Sequence, residues 1–253
     1  VTADVTRVTE DYLRLIWQSR DWPDGQRRPT TGSLAAALGV TPSTVSANLK
    51  KLAGRQLIDY EPYGAIALTG EGEKIALHVV RRRRIIETFL VRQLGVEWDE
   101  VLDEADRLEH VVSERLIGRL DEILGHPAVD PHGDPIPRPG QAGEPSAVVL
   151  SSCVSGDSVQ VVRVSDMNTD ILRFLSGRGI GLGTTLVVEV EMSATGLMRV
   201  RHGERVAELS APIAAAVLVV PASGAGVQQS PPDRDGPDRD NPAAEDGVTT
   251  TGR

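Results

Sequence analysis

Asp106, Glu109 and His110 stand at spacing i, i+3, i+4 within the segment DEADRLEHVVS. On a helix these positions share a face, so two carboxylates and an imidazole would converge. A donor set of hard oxygens with one nitrogen can hold a divalent cation if another element completes the shell, and it suits Mn²⁺ or Fe²⁺ better than a soft ion. The same spacing also occurs in a solvated acidic face, which is the plainer account of the cluster taken alone. No nucleophile or general base stands beside these three residues, so a metal-dependent enzyme is kept only as an alternative.

A second stretch able to do chemistry is Thr31–Leu57, TGSLAAALGVTPSTVSANLKKLAGRQL. It reads as helix, Gly turn at Gly39, helix. Thr41 suits an N-cap and Pro42 the first helical position. Thr41, Ser43, Thr44, Ser46 and Asn48 are short polar side chains near the start of the second helix, where they can meet phosphates and base edges in a major groove. Lys50, Lys51 and Arg55 add phosphate charge. The bland alternative is a helical hairpin whose hydroxyls are merely caps.

These residues need elements to position them. An apolar stripe (Val5, Val8, Tyr12, Leu15, Ile16) predicts a first helix over 5–20. Segments 33–38 and 43–56 form the helix-turn-helix, and Leu57–Tyr60 with Ala65–Thr69 reads as a hairpin, placed as a wing. A long helix is expected over 72–94, another over 97–107, and a third over 108–124. The last carries Leu108, Val111, Val112, Leu116, Leu120, Ile123 and Leu124 as one apolar stripe. Prolines crowd 126–145. Beyond them the period changes to short alternating strands, 147–150, 158–164, 185–191, 196–201 and 205–209, with one helix over 170–176, the pattern of a small β-barrel. Residues 222–253 are rich in Gly, Pro, Asp and Arg and are expected to be disordered.

Composition sets bounds. The chain has 253 residues, 3% aromatic, and a net charge of −9. The charge is unevenly spread: +3 over 1–90, −8 over 91–145, −1 over 146–222 and −3 beyond. A mildly basic front keeps a nucleic-acid partner open despite the acidic total. Few aromatics argue against stacking platforms for single strands. The single cysteine, Cys153, excludes an internal disulfide framework and Cys-rich zinc sites. No apolar run is long enough to span a membrane, and the first 20 residues do not read as a secretory signal, so a cytoplasmic chain is expected.

With TEDYLRLIW (9–17), the helix-turn-helix, VVRRRRIIETFL (79–90), DEADRLEHVVS (103–113) and DPHGDPIP (130–137) in place, the chain resembles the diphtheria-toxin-repressor family, on its manganese-transport-regulator branch. The resemblance covers residues 5 to about 140 well and the barrel by pattern only. It implies a mainly α fold with a small β part: a winged helix-turn-helix DNA-binding domain (1–72), a helical metal-binding and dimerisation domain (73–140), an SH3-like domain (146–221) and a tail (222–253). The implied protein is a homodimeric, metal-dependent repressor of metal-uptake genes that binds a double-stranded operator without a membrane.

By the same resemblance, Asp11 of the first helix joins Asp106, Glu109 and His110 around the metal. Iron-sensing relatives carry Met and Cys where this chain has Asp11 and Asp106, and hard oxygen in place of sulfur favours Mn²⁺, with Fe²⁺ as the alternative. A second family site has lost its ligands. Arg83, Arg14, Leu102, Asn168 and Ile171 occupy its positions, and only Glu87 remains. A guanidinium has no lone pair to offer a metal. Arg83–Glu87 and Arg14–Asp11 are read as ion pairs, which leaves one metal site, or none if Arg14 occupies Asp11. The second outcome would make the chain a metal-independent winged-helix regulator. Asp130–Asp134 could be a loop metal site, but a Pro/Gly turn is the plainer reading, and His132 has no partner at metal-ligand spacing.

Overall fold

The structure, a computed structural model, describes residues 5–20, 22, 28–61, 64–138 and 147–222. The expected disordered tail beyond 222 and the end of the proline-rich stretch lie outside them. Helix α1 (Arg7–Gln18) starts where the Thr6 side chain accepts from Thr9 N, and it buries Tyr12, Leu13 and Ile16. In α2 (Thr31–Leu38), Thr30 and Ser33 cap each other's backbone, a reciprocal arrangement that satisfies two N–H groups. Helix α3 (Pro42–Gly54) begins on the Thr41 cap, and Val45, Leu49 and Leu52 face inward at helical spacing. Strands β1 (Ile58–Tyr60) and β2 (Ile66–Leu68) pair antiparallel, Ile58 opposite Leu68, as the wing.

Helix α4 (Gly70–Leu94) leaves the wing and crosses into a second apolar cluster. Its entry depends on a missing side chain: a Cβ on Gly72 would lie 1.9 Å from the Leu57 carbonyl oxygen. Helices α5 (Val101–Leu108) and α6 (Glu114–Ile123) pack on α4 through Val101, Ala105 and Ile117. The single helix expected over 108–124 is interrupted, because Glu109–Ser113 is a turn and Ser113 caps a new helix at Leu116 N. Val111, Leu116 and Ile123 consequently point outward, Val111 at 75% exposure, while Ile117 is the buried contact.

The remaining described chain forms a six-stranded antiparallel sheet in the order β3-β8-β4-β5-β6-β7. Its strands are β3 (Val148–Val149), β4 (Ser158–Val164), β5 (Thr185–Val190), β6 (Leu197–His202), β7 (Arg205–Ser210) and β8 (Val217–Pro221). Helices α7 (Thr169–Ser176) and α8 (Ala211–Ala215) accompany it, and one apolar cluster joins the sheet to α7. This unit is fastened to the helices. Trp98 and Leu102 pack on its core, Trp22 Nε1 donates to the Ala215 carbonyl, and Arg163 of β4 lies over the Trp22 ring. Trp22 thus serves the β unit. Among the described residues no helix is long and apolar enough to cross a membrane.

The four arginines Arg81–Arg84 do not ring the helix with surface charge. Three of them are buried, and each of the four meets carboxylates. Arg81 and Arg138 both donate to Asp121, at 2.8 and 2.7 Å, and His126 Nδ1 lies 3.0 Å from it. Burial would raise the Asp121 pKa, but the Arg138 and His126 hydrogen bonds and the guanidinium charges hold it below the ordinary 3.8. A depressed carboxylate stabilises the fold above its unfolded pKa, and that stability is lost as pH falls through the folded value. Asp121→Asn is therefore expected to cost about 2–3 kcal/mol at pH 7. Urea unfolding should show the gap between variant and wild type closing as pH is lowered below about 4.

Candidate functional site

The front of α3 is open. Thr41, Ser43, Thr44, Lys50 and Lys51 are exposed and Ser46 is half-buried. Thr41 Oγ1 lies 2.8 Å from Ser43 Oγ and 2.9 Å from Thr44 Oγ1, so the three hydroxyls form one cluster at the helix N-terminus. Backbone N–H groups and the helix dipole make that end a natural place for a phosphate. Asn48 is placed differently. Its amide donates to the Tyr12 hydroxyl at 3.3 Å and to the Thr44 carbonyl at 3.2 Å, tying α3 to α1.

The candidate metal ligands come together in part. His110 Nε2 lies 3.0 Å from Asp11 Oδ1 and 3.2 Å from Glu109 Oε1. Its Nδ1 lies 2.8 Å from Glu10 Oε2, a neighbour the sequence reading did not name. Burial would lower the imidazole pKa, but hydrogen bonds to Glu109 and Glu10 and the Asp11 charge push it up to about 9. Burial raises the Asp11 carboxyl. In Glu109 burial is outweighed by the His110 hydrogen bond and by Arg14 and Arg83, which lower it.

Asp106 is the exception. Helix α5 ends at Leu108, so positions 106, 109 and 110 do not share a helical face. Glu109 and His110 turn inward, while Asp106 stays 43% exposed among Arg7 (3.2 Å), Arg14 (3.5 Å) and Arg83 (3.4 Å). Potential ligand atoms of Asp11, Glu109 and His110 lie within 4.8 Å of one another, and Asp106 is not among them.

A second cluster of the same kind joins Glu87 of α4 to Asp130 and His132, all three buried, again with ligand atoms within 4.8 Å. Residues 130–134 form more than a plain turn. Asp130 Oδ1 accepts from the backbone N–H of His132 and Asp134, and His132 Nε2 donates to the Trp98 carbonyl at 2.7 Å. That bond directs Nδ1 away from Trp98, and Nδ1 has no hydrogen-bond partner among the described residues. Burial, with the Asp134 and Glu87 charges, raises the Asp130 pKa well above its ordinary value. Burial also raises Glu87, against the pull of Arg83. Crowded carboxylates beside an orphaned imidazole nitrogen fit a cation.

From the β unit Asp166 contributes charge here. Burial opposes its ionisation, but His132, Arg83 and Arg84 hold its pKa low. Asn168 instead caps α7 through Asp170 N, and Ile171 packs on the sheet core. The one sequence signal for this cluster was the DPHGD string, since its partner Glu87 is remote in the chain. Cys153 is a buried thiol pushed up to about 11 by burial, far from thiolate reactivity.

Comparison with known proteins follows the same division. Residues 4–66 match the iron dependent repressor N-terminal DNA binding domain, 69–138 the iron dependent repressor metal binding and dimerisation domain, and 148–221 the FeoA domain. The iron-dependent repressor IdeR of Mycobacterium tuberculosis is 32% identical over 187 residues, covering 64% of this chain and 80% of that protein. The chain belongs to the diphtheria-toxin-repressor family. The diphtheria toxin repressor of Corynebacterium glutamicum is 28% identical over 87% of this chain and 99% of that one. A solved manganese-dependent transcriptional repressor in complex with manganese is 42% identical, with a TM-score of 0.78 over 84% of this chain and 99% of that one. Within the family the chain sits on the branch of the manganese regulators, and its fold is that of a metal-dependent DNA-binding repressor, not of an enzyme.

Proposed function

We propose that this chain represses metal-uptake genes in response to Mn²⁺, acting as a homodimer on a double-stranded operator. The reading rests on one observation: Asp11, on the helix beneath the DNA-binding unit, meets Glu109 and His110 of the helical module. Asp11, Glu109 and His110 would hold the cation, which would join the two and supply a fixed double positive charge at their junction. Glu10 holds His110 in place, and Asp106 can swing in only by leaving its arginines. Hard oxygen donors without sulfur favour Mn²⁺ over softer ions, with Fe²⁺ the next candidate. Glu87, Asp130 and His132 form a second cation site, so two ions per chain are expected where the sequence suggested one.

Metal that binds the DNA-competent arrangement more tightly shifts the population toward it, about 1.4 kcal/mol for each tenfold preference. Thr41, Ser43, Thr44 and Ser46 then meet the operator, with Lys50 and Lys51 on phosphates and Asn48 bracing α3. Exposed Val111, Leu116 and Ile123 offer an apolar face for a second copy, which supplies the second recognition helix of a palindromic site. A gel shift on the chain's own promoter, with Mn²⁺, Fe²⁺ or chelator, tests the reading. Retardation should require metal. Lys50→Ala should weaken it on every DNA sequence and lower its salt dependence without changing Mn²⁺ affinity. Retardation in chelator at full strength would favour the metal-independent regulator, for which the guanidinium of Arg14, 3.4 Å from Glu109, already speaks.

A further inference from the structure

The two cation clusters share no ligand, yet one side chain touches a carboxylate of each. Arg83 Nε lies 2.7 Å from Glu87 Oε1, and its Nη1 lies 3.3 Å from Glu109 Oε2 and 3.4 Å from Asp106 Oδ1. Its Nη2 donates to the Leu102 carbonyl at 3.4 Å, and the whole side chain is buried. A guanidinium stays protonated and cannot ligate a metal, so at this position it is a permanent cation. Resting on the two-site reading above, we propose that Arg83 is a tethered competitor for metal at both clusters and couples them negatively. Occupation of one site then lowers the affinity of the other.

The coupling follows from the shared fork. A dication that claims Glu109 repels Nη1, and the guanidinium is drawn fully onto Glu87, the carboxylate the second ion needs. A dication on Glu87 sends Arg83 toward Glu109 and Asp106 instead. Because the two effects are one free energy, each site weakens the other by the same factor. Arg14 offers a contrast. It reaches Glu109 at 3.4 Å and Asp106 at 3.5 Å, both on the side of the first cluster. The consequence is a response spread over a wider range of metal concentration than two independent sites would give.

Calorimetric titration of the full chain with Mn²⁺ at fixed pH tests this in wild type, Arg83→Gln, Arg83→Lys and Arg14→Gln. His110→Ala, which retains only the second cluster, assigns the steps. Wild type should show two unequal steps. Arg83→Gln should tighten both at least tenfold, about 1.4 kcal/mol each, and bring them closer together. Arg83→Lys keeps the charge at Glu87 but is too short and unforked to hold Glu109 as well, so only the first step should tighten. Arg14→Gln should tighten chiefly the first step, because Arg14 touches no carboxylate of the second cluster and reaches it only through its charge on Asp166. Two-step binding in wild type that is unchanged or weaker at both sites in a folded Arg83→Gln protein overturns the proposal and leaves the sites standing. If that variant does not fold, an unchanged first step in Arg83→Lys overturns it. No Mn²⁺ bound by any variant overturns the site reading and the coupling together.

Discussion

His110→Ala is expected to abolish Mn²⁺-dependent operator binding while leaving the dimer and the Lys50 face intact. His110 is the single nitrogen in the first cluster, and it faces Glu10 and Asp11 on α1 and Glu109 beside α5. Removing it takes away a proposed direct ligand, so Mn²⁺ affinity at that cluster should fall on the order of 100-fold or more, beyond what loss of an outer hydrogen bond costs. The same change breaks the charge-assisted contacts that join α1 to the helical module without metal, worth about 1.5–3 kcal/mol.

Two measurements separate these effects. The basal melting temperature reports the lost contacts. The rise produced by Mn²⁺ reports linkage, about 2.7 kcal/mol for a site at a hundredfold excess over its Kd. In the variant the part of that rise due to the first cluster should vanish, and the part due to Glu87, Asp130 and His132 should persist. A variant that responds to Mn²⁺ like wild type, both in melting and in gel retardation, would place the regulatory ion elsewhere.

What the sequence made legible here was local. Thr41 before Pro42, Gly39 before them and the Val45, Leu49, Leu52 spacing specify α3 with little help from the rest of the chain. Arg83–Glu87 and Arg14–Asp11 were legible as pairs for the same reason, since each lies within one helix. The failures are non-local. The stripe 108–124 continues in apolar pattern across a break that only the Ser113 cap signals. Strand β8 lies between β3 and β4, but its run VLVVP has no alternation to show it. Glu10 escaped notice because it sits on the same turn as Asp11 and its value lies in facing His110 across the fold. His132 looked partnerless because its partners are a backbone carbonyl at Trp98 and carboxylates on two different elements.

Gly133→Ala is expected to damage the fold severely. Gly133 sits at φ +88, a region that favours glycine, and an added Cβ would lie 2.1 Å from the Val162 carbonyl oxygen and 2.9 Å from Arg163 Cα. Those atoms are backbone of β4, where Arg163 pairs with Leu218 of β8 and Val162 sits at the register shift between the paired Val161 and Arg163, so they cannot yield as a flexible side chain would. The loop must move instead. Its movement breaks the bond from Val164 N to the His132 carbonyl, 2.8 Å long, and loosens Asp134 from Arg84 and Arg163. Backbone strain and the lost contacts together should cost about 3–5 kcal/mol.

The cost falls on one site. Asp130 and His132 are carried by the moving loop, whereas Asp11, Glu109 and His110 belong to α1 and the end of α5. Calorimetry should therefore find the second Mn²⁺ step missing and the first preserved, with a lowered unfolding midpoint in urea. Gly133→Ala that keeps both steps and wild-type stability would mean that the loop does not hold Asp130 and His132 against β4 in solution.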